Sequence, residues 1–133
     1  MRTREDIEAY LGRSGHPHRE VADDTWLVTD PSDGREHIAV RLADGMVLFR
    51  LKVLELDRLD PKQREAFFEQ ILRMNAEDMV HGAYGVADGD VVITATLRLE
   101  NLDFSEFSGT LDDFIVAVTN HYPTLREFVR AAH

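Results

Sequence analysis

Apolar residues along this chain change period from element to element, and the changes mark out the fold. Ile7, Tyr10 and Leu11 fall at helical spacing behind Thr3 and Asp6, a capping-box pair, and Gly12 and Gly15 close the element. The stretch from Gly15 to Asp24 reads as a polar connection, and Thr25–Thr29 as a short strand closed by the turn-rich Asp30-Pro-Ser-Asp-Gly34. Asp60 and Pro61, with Gln63 behind them, open a second helix whose apolar face holds Phe67, Phe68, Ile71, Leu72, Met74 and Met79, with Gly82 as its stop. A third helix, capped by Asp103 and Glu106, carries the stripe Phe107, Leu111, Phe114, Ile115, Val118 and Tyr122. Pro123 is expected to break it, and Thr124 with Glu127 to cap a short final helix bearing Leu125, Phe128 and Val129.

Two Asp-Gly pairs set strand register. A two-residue type I′ turn needs positive φ at both central residues, which Asp44-Gly45 and Asp88-Gly89 supply. Counting outward from the first pair sets Ala43 against Met46, Leu42 against Val47, Val40 against Phe49 and Ile38 against Leu51, one continuous apolar face. The alternate face holds His37 with Lys52, Ala39 with Arg50 and Arg41 with Leu48. From the second pair, Val86 meets Val91, Tyr84 meets Ile93 and Gly82 meets Ala95, while Val92, Thr94, Thr96 and Arg98 point the other way. A slip of one residue would turn every side chain over, so the agreement of both hairpins fixes the registers. Antiparallel hairpins and helices with one apolar stripe make a two-layer α+β fold: an antiparallel sheet with helices on one face, in the order α-β-β-β-α-β-β-α. The whole chain, residues 1–133, reads as one domain without repeat or linker.

Composition narrows the function. There are 25 acidic against 15 basic residues, a formal net charge of −10, which argues against a nucleic-acid partner because phosphate binding rests on Lys and Arg. The absence of cysteine removes thiolate chemistry and cysteine-ligated metals. The charged start MRTREDIEAY has no signal-peptide pattern, and no apolar run has membrane-spanning length, so a cytoplasmic protein without membrane association is expected.

No residue constellation in the sequence demands catalysis. His16-Pro-His18 with Asp23 and Asp24 could ligate a metal, but the spacing is loose and reads better as solvated loop. Asp112 and Asp113 are adjacent on a helix, project about 100° apart and do not converge unaided. Gly82-Ala-Tyr-Gly85 lacks a phosphate-loop pattern and leads into a strand. Ser32, Ser105 and Ser108 sit in no nucleophile motif. Trp26 fits a core or edge-packing role, and Asn75 reads as a structural amide bonding across to a strand or loop. No cofactor is expected.

What stands out is the outward sheet face. Arg41, Arg50, Lys52 and Arg98 lie there beside Leu48, Val92, Thr94 and Thr96, a half-apolar basic strip on an acidic protein. It is either a solvent face protected from aggregation or a partner-binding surface centred on Arg41, Leu48, Arg50, Lys52 and Arg98.

The run MVLFRLKVLEL and the longer ILRMNAEDMVHGAYGVADGDVVITATLRLENLDFSEF resemble the YbjN family, whose fold is similar to class I type III secretion chaperones. The resemblance spans roughly Asp24 to Tyr122. The Leu-Arg-Met-Asn helix end, the Gly-Ala-Tyr-Gly segment, the Asp-Gly hairpin and the Leu-Asp-Phe helix start carry it. It implies a cytoplasmic, non-catalytic protein, commonly a homodimer, that binds segments of other proteins, with no catalytic residues to assign. A regulatory domain binding a small ligand between helices and sheet is the alternative, and Phe128, Val129 or the second helix are candidates for a dimer seam.

Overall fold

The protein is described by a computed structural model over residues 2–130. Helices α1 (Arg4–Ser14), α2 (Arg64–Glu77) and α3 (Phe104–Leu125) accompany strands β1 (His18–Ala22), β2 (Thr25–Val28), β3 (Ile38–Ala43), β4 (Met46–Glu55), β5 (Ala83–Ala87) and β6 (Asp90–Arg98). The strands form one antiparallel sheet in the order β1-β2-β3-β4-β6-β5, and the predicted elements stand in the predicted order. Both Asp-Gly turns have positive φ at each central residue, 53° and 74° at Asp44-Gly45 and 53° and 80° at Asp88-Gly89. The registers follow: Ile38 pairs with Leu51, Val40 with Phe49, Tyr84 with Ile93 and Val86 with Val91.

The inward strand positions and the helix stripes share one core. Ile7, Leu11, Trp26, Val40, Phe49, Leu51, Phe67, Ile93, Phe107, Leu111 and Phe114 are each at most 3 % exposed. Phe49 meets Phe107 and Phe114 at ring separations of 5.4 and 6.2 Å, so the central strand is pinned beneath α3. Trp26 is buried under Arg4, whose guanidinium lies 5.0 Å from the ring and also bonds Glu20 and Asp24. Those bonds, Glu20's first, raise the Arg4 pKa above its usual range. They stitch α1 to the β1–β2 hairpin.

Several local expectations need correction, among them that Gly12 closes the first helix, since it lies inside α1, and that Met79 belongs to the second, since it lies beyond α2. The polar connection between Gly15 and Asp24 contains β1, an edge strand with all five residues exposed, so it carries no alternating apolar signal. Pro123 does not end α3, which continues to Leu125. Thr124 lies inside it and caps nothing, and the final element is a single 3-10 turn, Arg126–Phe128. Proline there forfeits one helical bond, that to the carbonyl four residues back, and only two helical residues follow it, so little helix remains to be disrupted. Gly82 does not stop α2, which ends at Glu77 with Asp78 as its cap. Leu72 is off the apolar face and 65 % exposed, because α2 buries the Phe67–Ile71–Met74 line instead. Gly82 has another duty: at φ 80°, a Cβ there would sit 2.6 Å from the Thr94 carbonyl oxygen and 2.9 Å from the Phe114 ring.

Candidate partner-binding surface

The helices pack on one face of the sheet, and the side chains of the other face form rows across the strands. Thr25, Arg41, Leu48 and Thr96 make one row; Leu27, Ala39, Arg50, Thr94 and Ala83 make the next. Lys52, Val92 and Gly85 follow on one side, while Met46 and Arg98 flank the first row on the other. All five residues expected at a partner surface therefore share this face. Arg41, Leu48, Arg50 and Arg98 are exposed, and Lys52 is half-exposed. Val92 is 2 % exposed yet outside the main core, since Gly85 and the Lys52 stem flank it.

The cations on this face differ in availability. Arg50 donates to Asp88 at 3.0 Å, and Lys52 approaches Glu55 at 3.2 Å and Asp90 at 3.7 Å. Arg41 and Arg98 make no salt bridge among the described residues. Between that free pair and Lys52, no outward position of β2 to β6 holds a carboxylate. A depression of about 330 Å³ lies over Leu27 and Ala39, rimmed by Arg35, Arg50 and Lys52 together with Glu36 and His37.

Two polar arrays lie on other parts of the molecule. Asp30, 1 % exposed, accepts from the Ser32 backbone N–H at 2.9 Å and the Ser32 hydroxyl at 2.7 Å, and its other oxygen lies 2.9 Å from His37 Nε2. Burial pushes the Asp30 carboxyl up, but Ser32 and His37 together outweigh it and hold the group below its usual range. Asp33, also near His37, completes the group of donors that could share a cation. The sequence reading missed this array because His37 looked isolated; the Pro-Ser-Asp-Gly turn folds it back onto Asp30. Serine, histidine and aspartate all occur here, but the hydroxyl donates to the carboxylate and not to the imidazole, so nothing activates it as a nucleophile. These groups line a cavity of about 390 Å³ whose other wall is Val53, Val118, Tyr122 and Pro123.

The second array runs from Tyr84 through His121 to Asp78, at 2.8 and 3.1 Å. Burial first, with Asp78 adding to it, pushes the Tyr84 hydroxyl well above its usual range, so it stays a neutral hydrogen-bonding group that ties β5 to α3. Asn75 fulfils its expected role: its amide accepts from Tyr84 N–H at 2.7 Å and donates to Tyr84 C=O at 3.2 Å. Asp112 and Asp113 diverge as expected, toward His16 and His81 respectively. His18 bonds the His16 carbonyl at 2.9 Å, and Asp23 and Asp24 form the β1–β2 turn. Phe128 meets Phe67 edge to face at 5.6 Å and Val129 bridges Leu59, so both serve contacts within the subunit.

No curated protein sequence matches the chain. Among solved structures it is similar to YbjN from E. coli, at 12 % identity and a TM-score of 0.67, covering 98 % of this chain and 100 % of that one. It is also similar to the structure of the heterodimeric ExoU–SpcU complex from the type III secretion system of Pseudomonas aeruginosa, at 13 % identity and TM-score 0.61, over 93 % and 98 % of the two chains. The ExsC–ExsE complex follows at 15 % identity and TM-score 0.55, over 99 % and 100 %. These likenesses establish a shared fold. Residues 1–131 match the CesT_Tir_1 model, and the chain belongs to that family of type III secretion chaperones.

Proposed function

We propose that the protein is a non-catalytic, chaperone-like or adaptor-like module of the cytoplasm, acting as a homodimer that binds a segment of another protein. The observation that carries this reading is the sheet face: six strands form a platform with helices on one side only, and the bare side mixes apolar and basic residues. Family membership supports it, as do the neighbours ExoU–SpcU, ExsC–ExsE and SycH with a fragment of YscM2, each solved as a complex of two proteins. No helix among the described residues is long and apolar enough to cross a membrane. The test is native affinity capture with mass spectrometry, paired with a solution mass. Co-purification of one protein in fixed ratio, with a mass about twice 15.2 kDa for the free protein, is expected.

The cavity beside Asp30 and His37 favours a second reading, a regulatory domain for a small ligand, because an apolar wall there faces converging polar groups. Retention of a small molecule that raises the melting temperature, without any captured protein, would decide for it.

A further inference from the structure

Resting on the protein-binding reading, we infer that the docking site on the bare sheet face is the Arg41–Leu48–Arg98 corner, and that its occupant is an extended segment of the form acid-x-apolar-x-acid. The corner is defined by availability. Arg50 and Lys52 are already neutralised by Asp88, Glu55 and Asp90, whereas Arg41 and Arg98 have no carboxylate partner among the described residues. Leu48, 37 % exposed, is Arg41's cross-strand neighbour, and Met46 is Arg98's. An apolar surface thus lies between two free guanidinium groups.

Spacing selects the occupant. Arg41 and Arg98 are two strands apart and one double step apart along the strand, which places their Cα atoms about 12 Å from each other. In an extended chain, residues i and i+4 point the same way and lie about 13.5 Å apart, with i+2 between them. Two carboxylates at i and i+4 would each meet one guanidinium fork, and an apolar residue at i+2 would cover Leu48 and Met46. A helical occupant brings i and i+4 to about 6 Å, too short to serve both arginines symmetrically. Charge completes the choice: the chain's own net charge of −10 makes an acidic partner unwelcome nearly everywhere else, so this corner also directs where such a segment lands.

The experiment is an NMR titration of the full chain with a short Gly/Ser-flanked peptide carrying Glu-Ser-Leu-Ser-Glu, against one carrying Lys-Ser-Leu-Ser-Lys. The acidic peptide is expected to shift Leu48, Thr96 and the Arg41 and Arg98 Nε signals at millimolar concentration. The variant R41E/R98E, exposed at both positions and expected to keep the wild-type melting temperature, should lose about tenfold or more in affinity. Failure to bind, equal binding of the lysine peptide, shifts confined to the helical side, or undiminished binding by R41E/R98E would each overturn the assignment. So would peptide-independent, concentration-dependent shifts at this corner, which would give the face to a second copy of the chain. Native capture separates the two claims: a partner still retained by R41E/R98E removes this docking site and leaves the protein-binding function standing. Capture of nothing by the wild type removes the function itself.

Discussion

At the scale of single residues, polar groups fix places where apolar packing alone leaves choices open. Asp30 is a buried carboxylate whose folded-state pKa is lowered, so it stabilises the fold at pH values above its unfolded value near 3.8. That contribution is lost as pH falls through the lower folded value. Stability measured by urea titration should drop more steeply below about pH 4 in the wild type than in Asp30→Asn, which starts less stable at pH 7. Gly82→Ala should cost about 2 kcal/mol or more, from positive φ and the approach of Thr94 and Phe114, seen as a lower urea midpoint. Asn75 was legible as a structural amide because a polar residue interrupts an apolar helix end. The Asp30–His37 pair was not, since only the folded turn makes seven residues of separation a contact.

Among elements, what the sequence disclosed depended on periodicity. The two central hairpins alternate over many residues and end in turns of one allowed geometry, so pairing could be counted residue by residue. Strand β1 pairs at the edge with every residue exposed, and with no buried face it has no alternation to read. Helix α2 shows a subtler limit: five large apolar residues cluster near one side, but only three are buried, Phe68 packs at the core's margin and Leu72 is exposed. Replacing Leu72 by Ala should change stability by less than about 0.5 kcal/mol, while Phe128→Ala should cost about 1–3 kcal/mol, both from denaturant curves. The second figure follows from a strap: Phe128 packs on Phe67, its carbonyl accepts from Asp60 N–H, and Arg130 N–H bonds the Arg58 carbonyl. Such a strap has no sequence period, because it joins two short segments far apart in the chain.

Across the whole molecule, the acidic charge is unevenly spread: on the bare sheet face it gathers beside Arg50 and Lys52 and is missing around Arg41 and Arg98. The outward strip was visible in the sequence as soon as the registers were counted. Which of its cations are free was not, because the pairing of Arg50 with Asp88 and of Lys52 with Glu55 and Asp90 depends on side-chain placement that strand register alone does not give. Charge reversal at Arg50 and Lys52 should therefore weaken partner capture less than reversal at Arg41 and Arg98, when equal amounts of folded protein are compared in the same pull-down. Raising salt from low to molar levels should loosen that capture, since exposed pairs are screened within about 3 Å at 1 M.

The bond pair between Asn75 and Tyr84 reaches beyond stability. Both Tyr84 backbone groups face away from β6, and the amide occupies them as a neighbouring strand would. The protein itself blocks this rim of the sheet at Tyr84, while β1 forms the opposite rim. A strand adding at the β5 rim would have to displace the Asn75 amide, so the bond pair protects that rim against edge-to-edge growth. Opening that rim with Asn75→Ala should promote edge-to-edge growth, visible as thioflavin-positive fibres under conditions where the wild type stays clear.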